Sequence, residues 1–160
     1  MKKTAMHIML FAAIFLLLSK QGAISREITL PDEIIKEISN NISDEYIVCG
    51  AYYTILVEEI VSNDDSIAFE MTKYSRNAAL EYAILMAKES RSQEMAEQIT
   101  LAKLELNMKF MLEQKKNDSE NFSILMNQYD NRCQEIMEYP DKMMGEWSYR
   151  ILKNHLSKEE

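Results

Sequence analysis

The chain has 160 residues, with 26 Asp and Glu against 18 Lys and Arg, a formal net charge of −8. That length holds one domain with its own core, and the acidic balance excludes a general nucleic-acid binder, whose phosphate contacts need clustered cations. Only 3 Gly and 2 Pro punctuate the sequence, far fewer turn residues than a β-rich domain needs, so the expected class is all-α.

The opening reads as an export signal. Lys2 and Lys3 precede an apolar run from Met6 to Leu18, broken only by His7, and Ala23-Ile24-Ser25 places small residues where a signal peptidase reads them. The run falls well short of the about 20 apolar residues that cross a bilayer. Residues 1–25 are therefore expected to be a cleavable signal peptide rather than an uncleaved anchor, with 26–160 as a single helical domain. Cys49, the first cysteine, lies too far from the run to be a lipidation site. Losing Lys2, Lys3 and Lys20 leaves 15 cations against 26 anions, a net −11. The double-lysine opening points to a periplasmic or secreted protein with no stable membrane insertion after cleavage.

A short helix is expected to begin at Pro31, carry Ile34, Ile35 and Ile38 inward, and end at Ser39-Asn40-Asn41. Ser43 then caps a second helix, with Tyr46, Cys49, Tyr53, Leu56 or Val57, and Ile60 on one face as far as Val61. Ser62-Asn63-Asp64-Asp65 makes the clearest turn. After it, Ile67, Met71, Tyr74, Ala78, Tyr82 and Leu85 form a stripe that continues through Met95, Ile99, Ala102, Leu106 and Phe110. An unbroken rod of about 50 residues would be about 75 Å long, too long for its neighbours to cover, so a break is expected at Ser90-Arg91-Ser92. Ser119 or Asp118 caps the next helix, with Phe122, Met126, Tyr129, Cys133 and Ile136 on its stripe. Tyr139-Pro140-Asp141 starts a last helix bearing Met144, Trp147, Ile151 and Leu152. The pattern is that of a small antiparallel bundle of about four to six helices.

Cys49 and Cys133 fall on the apolar stripes of two different helices. In an oxidising compartment they are expected to form one intramolecular disulfide stapling the bundle, worth about 4 kcal/mol by the chain-entropy model. Two buried thiols or an intermolecular bridge are the alternatives.

Little in the sequence carries chemistry. No CxxC or paired Cys/His spacing is present, and His155 is the one histidine beyond the signal. It reads as an exposed or packing residue, its best functional use being one axial ligand of a haem opposite a Met. Nine methionines remain after cleavage, among them Met108, Met111, Met143 and Met144; they could serve Cu(I) but read as core or groove packing. Glu58-Glu59, Asp64-Asp65 and Glu159-Glu160 read as caps and solvated faces, lacking the alternation and glycine of a calcium loop. The sequons at Asn41, Asn117 and Asn121 matter only in a eukaryotic secretory pathway.

No enzyme, cofactor or metal site is therefore expected. Tyr52, Tyr53, Trp147 and Tyr149 are the candidates for an amphipathic binding surface, although the same rings could line the core. The expected function is that of an exported, non-enzymatic helical protein binding an unknown protein partner, as an inhibitor, immunity-type protein or envelope accessory factor. The alternative is a carrier of haem, Cu(I) or an apolar ligand between the helices.

Overall fold

The computed structural model describes residues 30–61, 66–116 and 122–157. Among them the chain is helical almost throughout: α1 (Asp32–Val61), α2 (Ser66–Ala87), α3 (Gln93–Lys116), α4 (Ser123–Leu125), α5 (Asn131–Glu138) and α6 (Pro140–Leu156). A π-helical stretch, Met126–Asp130, joins α4 to α5 without leaving the helical backbone region. This is the small all-α bundle expected from the sequence. The expected leader, the Ser62–Asp65 turn, the caps at Asp118 and Ser119, and the sequons at Asn117 and Asn121 lie outside the described residues.

α1 is the central element. From Ile42 to Val57 every residue except Asp44 is buried or half-buried, as expected of a helix covered on all sides. Contacts that run in opposite directions along the two chains, Ser43 with Ala83 and Gly50 with Leu80, set α2 antiparallel to it. Asp44 pairs with Lys103 and Glu59 with Lys115, so α3 runs parallel to α1. Glu37 meets His155 near the far end of α6, at 2.9 Å. Arg132 of α5 links Glu45 of α1 to Glu146 of α6, and Lys142 pairs with Glu135.

One expected boundary is absent. Ser39-Asn40-Asn41 does not end a helix, and Ser43 caps none, because α1 runs through all four. Asn40, Asn41 and Ser43 find side-chain partners without breaking the backbone ladder. Asn41 Nδ2 donates to the Glu37 carbonyl one turn back, and Ser43 Oγ donates to the Ala83 carbonyl of α2. Asn40 Oδ1 accepts from Ser90 Oγ and from Arg91. A side chain with a tertiary partner no longer competes for its own backbone.

The break near Ser90 is present. Glu89 and Ser90 tighten to i−3 carbonyls at the end of α2, and Ser92 Oγ accepts the Met95 amide as the N-cap of α3. Asn40 grips this turn from α1, which is why a segment without Gly or Pro reverses direction here.

Candidate functional site

The disulfide joins Cys49 and Cys133 with Cα atoms 5.3 Å apart, and both residues are buried. It fastens α1 to α5 across 84 residues of sequence. Beside it lies an aromatic nest. The Tyr52 ring packs against Tyr53, Phe122 and Tyr129 at centroid separations of 5.3 to 6.5 Å, and its hydroxyl donates to Asp130 Oδ1 at 3.0 Å. Burial, and then that hydrogen bond to a carboxylate, raises the Tyr52 pKa well above the ordinary phenolic value. Burial also pushes Tyr53 up to about 12, with Asp130 and Glu138 adding to it.

Tyr52 and Tyr53 are thus core residues, 0% and 6% exposed, and not the surface pair expected of them. Neighbours on a helix point about 100° apart, which exposes one of them only when the helix has a free side; α1 has none at this level. Trp147 is half-buried, with the Arg150 guanidinium over its ring at 5.2 Å, and its buried Nε1 meets no acceptor among the described residues. Tyr149 alone of the four stands well out, at the edge of a shallow depression that Leu152, Lys153 and Leu156 also line. The structure does not bring the four together into one surface.

The remaining sequence candidates are dispersed. His155 serves the α1–α6 contact through Glu37. Met111 and Met143 are buried in the core, whereas Met71 and Met95 are exposed. Among the described residues no group of three or more His, Cys, Asp and Glu is placed to hold a metal ion, and no helix is long and apolar enough to cross a membrane.

The notable surface lies on α2 and α3, and it inverts the expected orientation. Four members of the α2 stripe face outward: Ile67 is 73%, Met71 67% and Tyr74 76% exposed, and Leu85 is exposed as well, whereas Tyr82 of the same stripe packs on the core beside Tyr46. The side turned to α1 carries Ala79, Ala83 and Ala87, all buried, with Leu80 against Gly50 and Tyr82 against Tyr46. On α3 the same holds. Met95, Ala102, Leu106 and Phe110 are exposed, while Ala96, Thr100 and Met111 are buried. Close packing between helices sets small side chains against large ones. Gly50 repeats this locally, lying against Leu80 and Leu104.

The charges sort in the same sense. Lys103 and Lys115 of α3 turn toward α1, where they meet Asp44 and Glu59. Among the described side chains on the exposed side of α3, Glu94, Glu105 and Glu113 face solvent together with Lys109. No protein-family model, no curated protein and no solved structure matches the chain.

Proposed function

We propose that the chain is an exported, non-enzymatic helical protein that acts by binding another protein through the outward apolar rows of α2 and α3. One observation carries the reading: on both helices a row of large apolar residues faces solvent, Ile67, Met71 and Tyr74 on α2 and Met95, Leu106 and Phe110 on α3. An apolar row left in water forgoes the burial that stabilises a bundle, about 25 cal/mol per Å². Apolar residues at i, i+4 and i+7 on an exposed helix are the anchors by which helical partners dock. The staple between Cys49 and Cys133 supports the same reading by holding α1, which backs both rows, to α5. The apolar run before Arg26 supports export.

Two experiments test it. A photo-reactive residue at Tyr74 or Leu106, in protein expressed with its own leader in the producing cell, is expected to cross-link one discrete protein. The same probe at Lys153 is expected not to. Identical products from all three positions, or none from any, overturn the binding reading. Intact mass of the exported protein, before and after reduction and thiol alkylation, is expected to begin near Arg26 and to gain alkyl groups only after reduction. A retained leader or freely alkylating thiols overturn the export reading.

A further inference from the structure

We infer that the outward row of α3 takes a basic amphipathic helix: a partner segment with an apolar face flanked by Lys and Arg. The inference rests on the binding reading above and names the chemistry of its partner. Met95, Ile99, Ala102, Leu106 and Phe110 follow one another at four, three, four and four residues, one line along about four turns of helix. Ile99 is half-buried and the other four are exposed.

Glu94, Gln98, Glu105 and Lys109 border that line on one flank, and Glu113 stands at its end. Glu94 accepts a hydrogen bond from Gln98, while Glu105 and Glu113 have no ion-pair partner among the described residues. Two further cations of α3, Lys103 and Lys115, are engaged with carboxylates of α1. Among the described side chains the result is an apolar row with the outward carboxylates of Glu94, Glu105 and Glu113 beside the ammonium of Lys109. A cationic helix lying on Leu106 and Phe110 brings Lys or Arg beside Glu105 and Glu113. A second copy of this chain brings carboxylates against carboxylates, under a whole-chain charge of −8. An anionic membrane is disfavoured by the same charge.

The test measures binding of the disulfide-intact mature chain to two synthetic 18-residue amphipathic helices, identical in their Leu face and flanked either by Lys or by Glu. The Lys-flanked peptide is expected to bind at least about tenfold more tightly, with affinity falling as salt rises from 50 to 300 mM. A variant with Glu94→Gln, Glu105→Gln and Glu113→Gln is expected to lose about tenfold for that peptide. Leu106→Gln with Phe110→Gln is expected to abolish binding of it, and Lys153→Gln on α6, away from both rows, to leave it unchanged. Circular dichroism and unfolding curves of each variant establish that it is folded.

Failure to bind the Lys-flanked peptide, equal binding of both peptides, or indifference to the three Gln substitutions overturns the basic-helix assignment. The cross-links at Tyr74 and Leu106 report separately on whether a protein binds at all, so the two readings fail independently. A dimer in sedimentation velocity that Leu106→Gln dissolves assigns the row to a second copy and overturns the inference. Row-dependent retention on phosphatidylglycerol vesicles assigns it to a membrane and also overturns it.

Discussion

Gly50 of α1 lies so close to Leu80 of α2 that a β-carbon on it would meet Leu80 Cδ2 at 2.7 Å and Cγ at 3.2 Å. Replacing a helical glycine by alanine ordinarily stabilises by about 0.5–1 kcal/mol, whereas overpacking costs about 1–3 kcal/mol. At this site the contact outweighs the backbone gain, so Gly50→Ala is expected to lose about 1 kcal/mol in urea unfolding. In a double-mutant cycle with Leu80→Ala the two losses are expected to sum to less than their parts. A stabilised Gly50→Ala would mean that α1 and α2 stand further apart than described.

The inward alanines and the outward row of α2 respond in opposite ways to substitution. Ala83→Leu adds volume where Ala83 is buried against α1 and its carbonyl holds Ser43 Oγ. It is expected to cost about 1–3 kcal/mol. Met71→Gln and Tyr74→Gln are expected to stay within about 0.5 kcal/mol of the parent, since each side chain is mostly in water already. Thermal or urea unfolding of the three variants checks this, and the reverse ranking would restore the orientation first expected from the stripe.

Reduction should act slowly and cost much. Both cysteines are buried and their bond closes a loop across 84 residues, so Cys49→Ser with Cys133→Ser is expected to lose about 4 kcal/mol. The native protein is expected to resist mild reductant until it is partly unfolded, which timed alkylation and mass spectrometry follow.

Alkaline pH should unfold the bundle. Burial raises Tyr46 to about 12, with Tyr82 and Asp141 adding to it; Tyr53 also stands at about 12, and Tyr52 and Tyr129 are raised. In the unfolded chain these phenols lose their protons near pH 10, so above that pH the folded state holds more protons than the unfolded one. Stability is therefore intact below about pH 10 and falls as pH rises through the folded values. A 295 nm titration is expected to show a late tyrosine group whose ionisation coincides with loss of helical circular dichroism. Tyr52→Phe is expected to remove part of that alkaline sensitivity and to cost about 1 kcal/mol at neutral pH, through the hydrogen bond lost to Asp130.

The helical class, the staple and the reversal at Ser90–Ser92 were legible because each rests on local chemistry: scarce Gly and Pro, cysteines on apolar stripes, a serine able to cap. The continuity of α1 was not. Asn40 and Ser43 look like a terminus until their tertiary partners are known, and Ala83 and Arg91 lie 40 or more residues away. Nor could periodicity say which face of α2 is inside. Ala79, Ala83 and Ala87 repeat every four residues as regularly as the larger row opposite, and the choice between the faces depends on close packing against α1. The same ignorance left Tyr52 and Tyr53 open between surface and core, and both line the core because the helix that carries them has no free side at that level.

The bond between Cys49 and Cys133 also determines what a single cut in the chain can accomplish. Lys88 stands exposed in the turn between α2 and α3, within the span that the disulfide encloses. A protease that severs the backbone there produces two polypeptides that still travel as one particle, with α1 and α2 on one and α5 and α6 on the other. Only a reducing agent parts them, so a nicked molecule keeps its full mass and both outward rows until it meets a thiol.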